Sequence, residues 1–172
     1  MRLVVVSDTH GDKQILRMIA KQQQPDADGY FYCGDSELPA DDEIFETYQP
    51  VTGNMDFDPA FPLTRTADFP GLKVFMTHGH RFNVNWTLDV LIQAGREAHA
   101  DLVLFGHTHQ LGVEQHDHMI VLNPGSISQP RGEFAPLHGT YATVDFDDKT
   151  ITVQFHTRDG QVVDKLTRTF TR

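Results

Sequence analysis

Three unbroken apolar runs punctuate the chain: Leu3-Val4-Val5-Val6, Tyr30-Phe31-Tyr32-Cys33 and Leu102-Val103-Leu104-Phe105. Runs of this length without polar alternation predict strands buried on both faces of a sheet. Between them the period changes. Lys13 to Gln23 carries Ile15, Leu16, Met18 and Ile19 at helical spacing, with Asp12 as N-cap and Pro25 closing the segment. An acidic stretch near 40–48 and the segment from Val84 to Ala98 also read as helices, the latter with Leu88, Leu91, Ile92 and Gly95 on one face. Pro50-Val51-Thr52 reads as a short strand, and Pro70-Gly71 as the turn of a hairpin between runs at 63–69 and 72–77.

From Asp101 onward strands dominate the pattern, near 101–105, 111–115 and 119–122. Tyr141–Phe146 and Ile151–Phe155 then flank the turn Asp147-Asp148-Lys149, and Asp159-Gly160 precedes a last run at 161–170. His116-Asp117-His118 reads as a polar hairpin turn, and Trp86 with the Leu88 face as core. There is no repeat and no linker. The expectation is one α/β domain over 1–172, two packed sheets flanked by helices.

Composition narrows the classes. A chain of 172 residues, 39% hydrophobic and 22% charged, suits a globular domain with a real core. No apolar run approaches the roughly 20 residues of a membrane span, and the N-terminus lacks the charged region and cleavage site of a signal peptide. A lone cysteine, Cys33, excludes an internal disulfide and points to a reducing, cytoplasmic setting. With 14 basic and 24 acidic residues the net charge is −10, which argues against general nucleic-acid binding and against an oligonucleotide nuclease.

Histidine changes the picture. Five of the ten histidines fall in short clusters at the ends of strand-like runs: Asp8-Thr9-His10, His78-Gly79-His80 and Gly106-His107-Thr108-His109. Gly34-Asp35 and Gly53-Asn54 end two further runs. Imidazole and carboxylate without thiolate point to a hydrolytic transition-metal centre rather than a structural zinc. Asp8 and His10 can reach one ion from a single loop, and His107 and His109 can address one ion or two neighbours. Asp35 has two oxygens with which to bridge a pair, and Asn54 is a neutral oxygen donor.

In this order, across residues 5 to 126, these motifs resemble the calcineurin-like metallophosphoesterase family. The short length and Asn123-Pro124-Gly125-Ser126 resemble its small bacterial and archaeal phosphodiesterase branch. That branch also contains the retromer subunit, which uses the fold as a non-catalytic protein-interaction module. The resemblance implies a four-layer α-β-β-α sandwich and two divalent ions. One would be held by Asp8, His10, Asp35 and His109, the other by Asp35, Asn54, His78 and His107. Manganese heads the candidates, with nickel, iron, cobalt and zinc also suited to nitrogen and oxygen donors. The implied activity is hydrolysis of a small phosphodiester by a metal-bridging hydroxide, with Asn54 among the catalytic residues; the sequence leaves the oligomeric state open, a homo-oligomer included.

One departure stands out. Many family members carry histidine after the asparagine, where it contacts phosphate or protonates the leaving group. Here that residue is Met55, followed by Asp56. A thioether donates no proton. His80 has two readings, a replacement acid or a residue that orients a ligand. Arg81 and Arg131 are candidate phosphate contacts, against the plainer reading of surface arginines, and Thr9 and Thr108 are candidate hydrogen-bonding supports of the ligands.

Overall fold

The computed structural model describes residues 1–172. Eleven strands and two α-helices follow in chain order: β1 Arg2–Val6, α1 Lys13–Gln23, β2 Gly29–Tyr32, β3 Gln49–Pro50, β4 Thr64–Phe69, β5 Leu72–Thr77 and α2 Asp89–Glu97. Then come β6 Leu102–Leu104, β7 Gly112–His116, β8 Met119–Asn123, β9 Thr140–Phe146, β10 Thr150–Thr157 and β11 Arg168–Thr171. They form a six-stranded sheet of order β11-β10-β9-β1-β2-β3 and a five-stranded sheet of order β4-β5-β6-β8-β7. In the first sheet β1, β2 and β3 run parallel; in the second, β5, β6 and β8 do.

The unbroken apolar runs are explained by layering. In β1, Leu3 and Val5 point between the sheets, where they meet Val74, Met76, Leu102, Leu104 and Leu122. Val4 and Val6 point the other way, onto Ile15, Leu16 and Ile19 of α1. The second sheet repeats the arrangement: Leu102 and Leu104 face inward while Val103 packs under Leu91 and Ile92 of α2. Each fully buried aliphatic side chain contributes about 1.5–3 kcal/mol, so every position of these strands favours the four-layer α-β-β-α order. No helix is long and apolar enough to cross a membrane.

Helix α1 has the expected bounds, and the Asp12 side chain accepts from the Ile15 N–H at 3.2 Å. Met18 nevertheless lies on its exposed face. The acidic stretch near 40–48 forms only a 3-10 turn, Glu43–Glu46, in which Ile44 is the one buried residue. The helix expected from Val84 starts at Asp89. Asn83 adopts a left-handed φ of 60°, and the Thr87 hydroxyl accepts the Asp89 N–H, so the preceding turns cannot continue the helix backwards. Trp86 in those turns is 87% exposed, so it is not the core residue its apolarity suggests, while Leu88 does pack beneath α2. The short strand lies at Gln49–Pro50, one step earlier than the pattern implies, and the last run holds a 3-10 turn, Asp164–Leu166, before β11.

Candidate metal centre

All the singled-out clusters leave the C-terminal ends of parallel strands: Asp8 and His10 after β1, Asp35 after β2, Asn54 after β3, His78 and His80 after β5, His107 and His109 after β6. The two sheets meet at this edge. The Asp8 N–H donates to the Gly34 carbonyl and the His10 N–H to that of Asp35, both at 3.1 Å; across the second sheet the Gly106 N–H donates to the His78 carbonyl at 3.0 Å. Asp8, His10, Asp35, His107 and His109 all take left-handed φ, from 47° to 66°. Each such residue costs on the order of 1–3 kcal/mol. Strain of that size concentrated at one edge marks a site held in place by its surroundings.

Asp56 supplies much of the hold. Its two oxygens accept the N–H groups of Asp35, Ser36, Glu37 and Gly53, all at 2.8 Å, and the Ser36 hydroxyl. Two glycines allow the loops to touch. A Cβ at Gly53 would lie 2.0 Å from the Asp35 carboxylate, and one at Gly106 would lie 2.0 Å from Ser7 Oγ and 2.8 Å from Asp8 Oδ2.

One donor atom from each of Asp8, His10, Asp35 and His109 lies within 4.8 Å of all the others. His10 Nε2 and His109 Nε2 are 3.4 Å apart, and His109 Nε2 is 3.2 Å from Asp8 Oδ1. Beside them, His78 Nε2 is 3.4 Å from Asp35 Oδ2 and 3.2 Å from Asn54 Oδ1, and the His107 ring centroid is 5.1 Å from that of His78. Three rings are aimed from behind. His78 Nδ1 donates to the Cys33 carbonyl at 2.6 Å, His109 Nδ1 to the Gln129 carbonyl at 2.7 Å, and His10 Nδ1 to Glu37 Oε1 at 2.8 Å. With Nδ1 engaged in this way, each ring turns its Nε2 into the site, the arrangement that orients metal-binding imidazoles.

The fit to a cation follows. Asp8 Oδ2 accepts from Ser7 Oγ and the His107 N–H, but Asp8 Oδ1, fully buried, has no hydrogen-bond donor. His109 Nε2 lies 3.2 Å from it. Carboxylate oxygens and imidazole nitrogens gathered this closely suit a divalent ion. The field agrees. Burial works to raise the Asp35 carboxyl, yet the His78 hydrogen bond and charge and the Met55 N–H hold it below the usual range. Burial works to lower His78 and His109, yet Asp35 and Asp8 raise the first and Asp8 the second. Positive charge is drawn to this edge. His80 and His107 go the other way, lowered by burial and by the neighbouring His78.

A cavity of about 300 Å³ opens over these groups, and Arg131 lines it together with His10, Asp35, Asn54, His107 and His109. Arg81 is exposed and is not part of that wall. His80 lies beside the cluster, its ring 5.5 Å from that of His78 and its buried Nδ1 without a partner. Ser126 Oγ donates to the Asp8 carbonyl, and Asn123 Nδ2 to the Gly106 carbonyl and Thr108 Oγ1, so Asn123–Ser126 does shape the loops beneath the site. Thr9 Oγ1 pairs with the Tyr32 hydroxyl. Two contributors escaped sequence reasoning: Glu37, which orients His10, and Asn85, whose amide lies 3.0 Å from His107 Nε2. Neither sits in a spaced motif; only the nearness of Glu37 to Asp35 hints at a role.

Two facing sheets with this donor set at their common edge define the metallophosphoesterase class, and residues 1–149 match the calcineurin-like phosphoesterase superfamily domain. The chain belongs to that family. It is 32% identical over 166 residues to "Probable metallophosphoesterase YsnB" of Bacillus subtilis, covering 96% of both chains. It superposes on the crystal structure of a conserved Streptococcus pneumoniae protein described as a predicted phosphoesterase with a TM-score of 0.94, at 36% identity, covering 99% of this chain and 97% of that one. Over 60 residues, 35% of this chain and 29% of the relative, it is 38% identical to "Phosphodiesterase YfcE" of Escherichia coli.

Proposed function

We propose that the protein is a dinuclear metal-dependent phosphodiesterase acting on a small substrate in the cytoplasm, with residues 1–172 as one working domain. The observation that carries the metal reading is the convergence of Asp8, His10, Asp35 and His109 donor atoms within 4.8 Å of one another around the buried Asp8 Oδ1. In this reading Asp8, His10, Asp35 and His109 hold one ion, and Asp35, Asn54, His78 and His107 the other. The nearness of Asp35 Oδ2 to His78 while the other donors gather around Asp8 supports a bridging role for Asp35. Such ions acidify bound water and neutralise charge on phosphoryl oxygens. The diester preference draws on the name of the Escherichia coli relative, and the one-domain reading on the ladder joining β10 and β11 to β9 beyond the family match.

The chain's residues then have separate tasks. Arg131 offers a guanidinium to the substrate's phosphoryl oxygens from the cavity wall. Asn54 contributes a neutral oxygen without adding to the negative charge around the phosphate. His80, beside His78, is the nearest imidazole outside the ligand set and is the candidate proton donor to the leaving oxygen.

The test is turnover of diesters, monoesters and cyclic nucleotides by protein loaded in turn with manganese, nickel, iron, cobalt and zinc. Metal content is measured on the same samples. The expected result is two ions per chain, chelator-sensitive activity greatest on diesters, and no turnover by a folded His107→Ala variant. One ion per saturated chain would overturn the dinuclear reading. Absence of metal-stimulated hydrolysis across the panel would turn the reading toward a non-catalytic interaction module.

A further inference from the structure

A second depression, about 650 Å³, adjoins the metal centre and shares Glu37 and Met55 with its cavity; Leu38, Pro39, Phe57 and Pro59 complete its apolar wall. The sequence Met55-Asp56-Phe57-Asp58 is turned the opposite way from ordinary surface chain. Its carboxylates point back to the backbone. Asp56 holds four N–H groups around Asp35, and Asp58 accepts those of Ala40 and Ala60. The Met55 N–H is itself fixed on Asp35 Oδ1 at 2.7 Å. The apolar side chains face water instead, Met55 40% and Phe57 87% exposed. A loop pinned this thoroughly keeps a methionine and a phenylalanine outward at a cost that no core contact of theirs recovers.

We infer that this groove is a substrate subsite for a flat, uncharged aromatic ring carried on one ester arm of the phosphate. The inference rests on the phosphoesterase reading above and names the class of ester it prefers. Its position next to the metal cavity, across the shared Met55 and Glu37, is where an ester arm leaving the centre would lie. Thioether and phenyl surfaces suit a ring face. The negative charges of Glu37 and Asp58, which line the groove, disfavour an arm bearing further phosphates. Because the loop is already ordered, little conformational entropy is lost on binding. An aryl ester and a nucleoside ester share this ring chemistry.

The experiment measures binding of phenylphosphonate and methylphosphonate to the manganese-loaded protein by calorimetry, with no turnover involved. Phenylphosphonate should bind about tenfold more tightly, the gain of burying one face of a ring. Phe57→Ser, at a solvent-facing position that folding does not need, and Met55→Ser should each bring the affinity ratio toward one. Equal affinities in the wild type, or a ratio unmoved by both substitutions, overturn the subsite while leaving the phosphoesterase reading intact. Failure of both phosphonates to bind overturns the two readings together. Adenosine 5′-phosphonate separates the sources: tighter binding than phenylphosphonate assigns a nucleoside ester, weaker binding a small aryl ester, and either one supports the ring subsite.

Discussion

Asp35 sits between the two groups of donors: it faces His78, accepts the Met55 N–H and closes against Gly53. Asp35→Asn keeps the shape but halves the donor oxygens and removes a charge. Metal content should fall below one ion per chain by elemental analysis, with turnover reduced by at least about 10³-fold, while circular dichroism stays native. Met55 makes a different prediction. General-acid assistance is worth about 10²–10⁴-fold, and a thioether gives none, so the task falls to His80, and the rate of His80→Ala on diesters should depend more steeply on leaving-group pKa than that of the wild type. Adding Met55→His to that variant should leave the slope steep, because both Asp56 oxygens are already engaged by backbone N–H groups. A flattened slope in the variant would show that another group orients the new ring.

Far from the centre, His156 is a buried imidazole stacked on Tyr141 at 4.7 Å, its Nε2 2.9 Å from Thr143 Oγ1. Burial is the main cause that pushes its pKa below the usual value. The unfolded chain therefore takes up this proton more readily than the folded one. The stabilisation is complete above the ordinary histidine value near 6.5 and is lost as pH falls through the depressed folded value. Urea denaturation of chelator-treated protein should show a smaller loss of stability from pH 7.5 to 5.5 in His156→Phe than in the wild type.

Among the elements, α1 shows what a local signal achieves. Asp12, the Ile15-Leu16-Ile19 stripe and Pro25 all agree, and the helix has the bounds the sequence implies. Asp12→Ala should cost about 1 kcal/mol in urea denaturation through the lost cap, with little added by the half-exposed Arg158 pair. The strands of the sheet centres were legible because burial on both faces leaves no polar position. The start of α2 was not. Asn83 and Thr87 impose turn geometry that an apolar count from Val84 cannot register, and Trp86 counts as apolar although it faces solvent. The ligand clusters were readable because loops at adjoining strand ends converge whatever lies between them. Glu37 and Asn85 were hidden because their roles arise only from the left-handed turn at Glu37 and the irregular turns before α2.

At the scale of the whole molecule the two sheets touch at the active edge through Gly106 and Ser7. Gly106→Ala drives a methyl against Ser7 Oγ and Asp8 Oδ2. The expected loss is on the order of 1–3 kcal/mol, as for other overpacked sites, together with weakened metal binding. Ser7→Ala should restore part of the stability in the double variant but not all, since Asp8 Oδ2 still obstructs. Additive losses in the four-protein cycle would show that the two sheets are not coupled at this contact.

The division of the donors between layers has a mechanical consequence. Asp8, His10 and Asp35 belong to the six-stranded sheet, whereas His78, His107 and His109 belong to the five-stranded one. A cation gripped by both sides is a rivet through the rim of the sandwich. At a free concentration of a thousand times Kd, an ion bound there would add about 4 kcal/mol to the folded state, comparable to the whole stability margin of many domains. Heat tolerance should therefore track metal supply, the melting temperature climbing with added manganese until the site saturates. Amide exchange should slow together in the loops after β1 and β6, so that the far rim, around Met1 and Phe146, becomes the place where the riveted molecule first opens.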